Sequence, residues 1–195
     1  KNSKINFIDT PGYPDFVGEV LGALSAADSA LIIVSAPAGV EVETEKAFAL
    51  CEDLKLPRAF FINKMDREHA NFNKCVEDLQ AKFGNKVVPV QIPIGGESSF
   101  KGIISLTNRK DVPDDLADEV EEAHMTMVDL AAEGDEEIMM KYLEGEDLTD
   151  AEVVKALAGA IKNCDIFPIF VGSALQNVGI KELMDAVVDN MPTPD

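Results

Sequence analysis

The sequence predicts an α/β fold built on a mostly parallel sheet and carrying an α+β insert. Three observations lead there. Short apolar runs alternate with helix-period segments from Lys4 to Gly84, and again after Asp165. Polar motifs follow these runs directly, at the carboxyl ends of strands, where open parallel sheets bind ligands. Between the two stretches, a strand–turn–strand pattern and a series of acidic helices break the alternation.

Lys4 to Ile8 reads as a short strand, stopped by Asp9-Thr10-Pro11-Gly12. Phe16 to Ala27 carries Val17, Val20, Leu21 and Leu24 at helical spacing. Ala30 to Ser35 is an apolar run fit for a fully buried strand. A helix is expected over Glu43–Leu54, with Pro57 past its end. Ala59 to Ile62 is a second buried strand and ends at Asn63-Lys64-Met65-Asp66. Phe72 to Phe83 is a helix closed by Gly84. The alternation of Val88, Val90, Ile92 and Ile94 with Pro89, Gln91 and Pro93 predicts an edge strand. Gly95-Gly96 turns it into Phe100–Leu106 as a hairpin. Helices follow over Pro113–Glu133, with Leu116, Val120, Met127 and Leu130 inward, and over Asp135–Tyr142. A third starts at Thr149, where Thr149 and Glu152 form a capping box and Val153, Val154, Leu157 and Ile161 face inward. Strand Ile166–Val171, the loop Gly172-Ser173-Ala174 and a helix with Ile180, Leu183, Met184, Val187 and Val188 inward complete the pattern. Pro192 and Pro194 end that helix and open a linker. There is no internal repeat and no low-complexity segment.

The chain has 195 residues, of which 46% are hydrophobic and 27% charged, ordinary values for a globular protein. No apolar run reaches the ~20 residues of a membrane span, and the first residues show no secretory pattern. Cys51, Cys75 and Cys164 are odd in number and widely spaced, so reduced thiols in a cytoplasmic protein are expected. The net charge of −19 is unevenly spread. Residues 111–152 hold 17 of the acids and a single base, Lys141. The rest is near balance, so the acidic segment needs its own account.

Three loops carry chemistry. Asp9 is placed to hold a water on Mg²⁺, which keeps several waters and takes few carboxylates. Gly12 lets a backbone N–H approach a terminal phosphate. An ordinary strand-to-turn exit would use the same residue types. The carboxylate of Asp66 can accept from the N1–H and N2–H₂ edge of guanine, a donor pair that adenine lacks. Asn63 can bond the base and neighbouring loops, and the Lys64 stem can lie along the ring. The small residues of Gly172-Ser173-Ala174-Leu175 would let backbone N–H groups approach the base oxygen. That loop alone is weakly specific, and its place third along one sheet edge gives it weight.

Asp9-Thr10-Pro11-Gly12, Asn63-Lys64-Met65-Asp66 and Ser173-Ala174-Leu175 together resemble the recognition motifs of translational GTPases. Residues 63–72 (NKMDREHANF), the insert from Val88 and the closing GSALQNVGIKELMDAVVDNMPTP resemble the elongation factor G family, over essentially the whole chain. The resemblance implies a P-loop NTPase-type G domain. It places an incomplete GTP-binding core at 1–85 and 165–195 and an inserted subdomain at 86–164. The implied ligands are GTP or GDP with Mg²⁺. Asp9 would assist the metal through water, and Gly12 would contact the γ-phosphate and drive the switch after it. Asn63, Lys64 and Asp66 would read guanine, supported by Ser173, Ala174 and Leu175. The implied partner is the ribosome: a stalk protein through the acidic insert, and ribosomal RNA through other domains. A monomer with no membrane association is expected. A solvated acidic surface without a partner remains the alternative for residues 111–152.

Two features depart from the family. Tyr13 stands where the family usually has a His that positions the attacking water. A phenol can bond a water, but its reference pKa of ~10, against ~6.5 for imidazole, denies it proton exchange near neutral pH. Tyr13 and Gly12 are thus the catalytic candidates, with the hydrolysis rate open. Second, no Gly-x-x-x-x-Gly-Lys-Ser/Thr occurs. In the family, the strand feeding that loop lies between Lys4–Ile8 and Leu31–Val34. The chain as given is therefore expected to be a fragment; standing alone it would have a gap in its sheet, poor stability and little affinity for GTP. Leu106–Val112 is also shorter than the family's connection. A related ribosome-bound GTPase of the protection or release-factor type, a non-hydrolysing nucleotide-binding module and an acidic interaction module are the alternative functions.

Overall fold

The computed structural model describes residues 3–144 and 148–193. In chain order the elements are α1 (Val17–Leu24), β1 (Ala30–Ser35), α2 (Val42–Asp53), β2 (Arg58–Asn63), α3 (Phe72–Phe83), β3 (Val87–Pro89), β4 (Gln91–Ile94) and β5 (Gly102–Ser105). Then come α4 (Ala117–Ala132), α5 (Glu136–Leu143), α6 (Asp150–Lys162), β6 (Phe167–Val171) and α7 (Ile180–Asn190). Four strands form a parallel sheet in the order β1-β2-β6-β3, and β4 and β5 form an antiparallel hairpin.

Strand alternation sends side chains to two faces. Ile32, Val34, Phe60, Ile62, Ile169 and Val171 join Phe48 of α2 and Phe72, Cys75 and Leu79 of α3 in one core. Ala59, Phe61 and Phe170 point the other way, into a second core. There they meet Met127 of α4, Leu157 and Ile161 of α6, Leu183 of α7 and Ile92 and Ile104 of the hairpin. Each Val, Leu, Ile, Phe or Met among them contributes roughly 1.5–3 kcal/mol when fully buried. The acidic helices therefore owe their apolar faces to the sheet and share its core.

Several expectations change. Lys4–Ile8 forms no strand: residues 3–13 have no regular structure and are mostly exposed. A strand requires a neighbour to take its backbone groups, and among the described residues β1 pairs only with β2. For the same reason β1 is an edge rather than a fully buried strand, with Ile33 54% exposed. The helix expected over Phe16–Ala27 shortens to α1, preceded by a 3-10 turn at Pro14–Phe16, and none of its residues is buried. Helix α4 starts at Ala117, after a 3-10 turn at Asp114–Leu116. The alternating run from Val88 to Ile94 is divided. Val87–Pro89 adds to the parallel sheet beside β6, and only Gln91–Ile94 enters the hairpin. Pro89 lacks an N–H and sits on the sheet's edge, as its chemistry requires. The Leu106–Val112 connection contains Arg109 and Asp111 in the left-handed region and is tied to α4 by Arg109–Glu121 at 2.7 Å. Pro194, expected in a linker, lies outside the described residues.

The helix starts follow their caps. Asn71 accepts from the Lys74 N–H at 3.0 Å ahead of α3. Thr149 Oγ1 accepts from the Glu152 N–H at 3.3 Å, and Glu152 Oε2 accepts from the Thr149 N–H at 2.9 Å, which closes the expected box. Lys141 Nζ donates to Glu152 Oε1 at 2.5 Å and joins α5 to α6. The hydrogen bond from Lys141, then those from Thr149, hold the Glu152 carboxyl down at about 2 against an ordinary 4.5. A carboxyl depressed in the folded state stabilises fully above its unfolded value, and that contribution disappears as pH falls through the folded one. Glu152→Gln is therefore expected to flatten the acid limb of the stability profile between about pH 4.5 and 2. Thermal unfolding followed by circular dichroism across that range checks it; an unchanged limb would contradict it.

Candidate functional site

The parallel register brings two loops together at the carboxyl end of the sheet. Ile62 pairs with Val171, so Asn63 and Gly172 leave adjacent strands side by side. The Gly172 N–H donates to the Ile62 carbonyl at 3.0 Å, and the Met65 N–H donates to the Gly172 carbonyl at 3.3 Å. A side chain at Gly172 would run into the Val178 carbonyl and the Phe61 ring. Gly179 (φ +80°) closes the same turn. Glycine is required at 172 by close approach and at 179 by its left-handed backbone.

Side-chain bonds then lock the two loops. Asn63 Oδ1 accepts from the N–H of Lys64 at 2.8 Å and from the N–H of Ala174 at 3.0 Å. Ser173, wholly buried, donates its hydroxyl to Asp66 Oδ1 at 2.5 Å and accepts from the Gln176 N–H at 3.2 Å. The Asp66 side chain is only 7% exposed, and its Oδ2 lies 3.6 Å from Arg67 Nε. A carboxylate has about four acceptor positions, so Asp66 retains capacity for two further donors. That suits the N1–H and N2–H₂ edge of guanine. Ala174 uses its N–H on Asn63 here, and its contribution is to tie the loops. Lys64 (φ +66°) is exposed, as is Leu175 at 74%.

Asp9, Gly12 and Tyr13 lie on the irregular segment and are exposed, Tyr13 at 75%. With α1 this segment walls an open cleft of about 620 Å³, lined by Asp9, Thr10, Pro11, Asp15, Phe16 and others, but not by Asn63, Asp66, Ser173 or Ala174. The Tyr13 carbonyl accepts from the Phe16 N–H at 3.0 Å and starts the 3-10 turn. Among the described residues nothing lies within 4 Å of the position a Cβ at Gly12 would take, so none of them demands glycine there. Among the described residues no group of three or more His, Cys, Asp or Glu is arranged to hold a metal. A lone exposed carboxylate at Asp9 fits the donor class of Mg²⁺, which draws its other ligands from water and phosphate. Sequence reasoning missed Gln91, which bonds the Val171 N–H at the end of β6, and Glu97, which bonds the loop bearing Asp66; both lie on the hairpin and have no local signature.

Comparison with known proteins agrees with this architecture. Residues 1–193 match the family model described as the elongation factor Tu GTP binding domain. The chain is 38% identical over 209 residues to elongation factor G of Mycoplasma pneumoniae, a match covering 100% of this chain and 30% of that protein. A crystal structure of a Thermus thermophilus protein superposes with a TM-score of 0.87 at 32% identity, covering 95% of this chain and 30% of that one. The fold is that of a G-domain-type P-loop NTPase. The chain belongs to the elongation factor Tu GTP-binding domain family, and its similarity to elongation factor G agrees with the motifs. It spans about 30% of the length of both proteins. Among the described residues no helix is long and apolar enough to cross a membrane.

Proposed function

We propose that this chain reads guanine for a cytoplasmic, monomeric, ribosome-associated GTPase of the elongation factor G type, whose GTP hydrolysis drives a step of protein synthesis. The observation that carries it is the pairing of Asp66 with Ser173 and of Asn63 with Ala174. Two loops more than a hundred residues apart thereby present one buried carboxylate at the strand ends. Asn63 and Ser173 orient Asp66, and Lys64 and Leu175 flank the base. Bound Mg²⁺ supplies charge neutralisation on the phosphates, with Asp9 as the residue that would hold it through water. Gly12 contacts the γ-phosphate, and catalysis rests on positioning and electrostatics. The core comprises 1–85 and 165–195 together with β3 (Val87–Pro89), which pairs with β6, and the rest of 86–164 is the insert. The exposed acids of α4 and α5 form the surface for a basic or amphipathic stalk-protein segment, while ribosomal RNA meets other domains.

Tyr13 favours a second reading, a GTP-bound switch with slow turnover. GTP hydrolysis by the full-length protein, with and without ribosomes, beside Tyr13→His, separates the two. Turnover by the native protein that depends on ribosomes is the expected result. Tyr13→His is expected to raise it about tenfold and to add a pH dependence near the ~6.5 of imidazole. Binding without turnover in the native protein, with turnover restored by His, would establish the switch. Failure to bind GTP at all would overturn both.

A further inference from the structure

The hairpin of β4 and β5 bonds to the Asp66 loop and to the last residue of β6, from which the Ser173 loop departs. β6 pairs with β3 only as far as Pro89 opposite Ile169. The Val90 N–H still reaches the Ile169 carbonyl at 3.1 Å, and then the chain turns away. Val171, the last residue of β6 before Gly172-Ser173, is wholly buried. Its N–H is taken by the side chain of Gln91, which is itself buried, at 3.1 Å from Oε1. The amide thus continues the ladder one step past the end of β3.

At the other end the hairpin tip meets the Asp66 loop. The Glu97 N–H donates to the Met65 carbonyl at 2.8 Å, and Glu97 Oε1 accepts from the His69 N–H at 2.8 Å. Those tethers fall on either side of Asp66. Lys64, His69 and Glu97 have φ of 66°, 68° and 54°. Such conformations in residues other than glycine persist where surrounding contacts hold them. The tip is itself braced: the Ser99 hydroxyl donates to the Gly96 carbonyl at 2.7 Å, and the Gly95 backbone (φ +75°) leaves no room for a side chain beside the Ser99 carbonyl. Met65, beneath the junction, is 2% exposed.

We infer that the β4–β5 hairpin is the brace of the guanine site and that Glu97 is a positioning residue whose carboxylate holds the loop bearing Asp66 in its base-reading geometry. This rests on the reading of the two loops as a guanine site. The effect belongs to nucleotide affinity, because Glu97 sits at an exposed tip outside both cores.

The test uses the full-length protein as wild type, Glu97→Ala and Glu97→Gln. Release of a fluorescent GDP analogue is followed by stopped flow, and thermal unfolding is measured without nucleotide. Loss of a charge-assisted hydrogen bond is expected to speed release about tenfold in Glu97→Ala. Glu97→Gln keeps an acceptor oxygen and is expected to stay within about threefold of wild type. Unfolding temperatures should coincide for all three. Release from Glu97→Ala at the wild-type rate would overturn the inference. So would equal acceleration in both variants accompanied by equal loss of unfolding temperature, which marks a merely structural residue. A wild-type protein that binds no GDP would instead bring down the guanine reading itself, and the brace with it.

Discussion

Asp66→Asn in the full-length protein is expected to weaken GDP binding by about 100-fold or more and to create affinity for xanthosine diphosphate. The wild-type carboxylate is 7% exposed, accepts from Ser173 on Oδ1 and has Arg67 Nε 3.6 Å from Oδ2, which leaves acceptor capacity unused. Guanine supplies two N–H donors along one edge, and hydrogen bonds to an ionised acceptor are about twice as strong as neutral ones. An Asn at 66 keeps one acceptor oxygen, which can still take the Ser173 hydroxyl. Its other terminus becomes an NH₂ that faces a donor of guanine. The variant thus forfeits a charge-assisted bond and leaves buried donors unpaired, each worth roughly 1–3 kcal/mol. Xanthine carries a carbonyl where guanine carries its exocyclic amine, so the same NH₂ finds an acceptor. Titration with fluorescent GDP and xanthosine diphosphate reads both effects. Undiminished GDP affinity would remove Asp66 from the base site. Loss of both ligands with a lowered unfolding temperature would show that the carboxylate serves the fold.

Asp66 also shows how much of this site is legible in the sequence. Its type, its place after a strand and its neighbours Asn63 and Lys64 are all visible there, because strand-end motifs are local. Its partner is not. Ser173 reads as a small residue, while its hydroxyl is what orients Asp66. Glu97 and Gln91 leave no trace, because a single polar residue in a hairpin acquires meaning only from the chain it meets. The same division holds for the fold. β2, α3, α6 and β6 are legible because their periodicity and caps are self-contained. Lys4–Ile8 has the alternation of a strand but pairs with no strand among the described residues, and pairing decides that matter. The run from Val88 to Ile94 alternates throughout, so nothing local marks Val90 as the point where one sheet hands over to the hairpin.

Arg58, which opens β2 and has no signature in the sequence, carries the second large expected effect. It is 2% exposed, and its guanidinium carbon lies 4.0 Å from the centre of the Phe48 ring and 4.1 Å from that of Phe167. Its polar contacts are sparse. One nitrogen donates to the Leu56 carbonyl at 3.3 Å, another is 3.8 Å from the exposed carboxylate of Glu52, and Nε has no hydrogen-bond partner among the described residues. Burial pulls its pKa below the ordinary guanidinium range, countered in part by Cys164, Cys51 and Glu52. Two opposed effects therefore meet here. Contacts with two aromatic rings favour the cation by about 2 kcal/mol each when desolvated, and desolvation with incomplete bonding costs several. Side-chain volume in the corner that the two perpendicular rings form is the contribution that does not cancel. Arg58→Ala, which leaves a cavity, is expected to destabilise by about 2–4 kcal/mol, a fall of roughly 5–12 °C in unfolding temperature. Arg58→Met, which fills the slot without a charge, is expected to cost ~1 kcal/mol or less. GDP affinity should be unchanged in Arg58→Met, because Arg58 lies at the amino end of β2 and Asn63 and Asp66 follow its carboxyl end. If Arg58→Met proves as unstable as Arg58→Ala, the aromatic faces bind the cation strongly enough to outweigh its dehydration, and charge rather than volume holds this corner of the core.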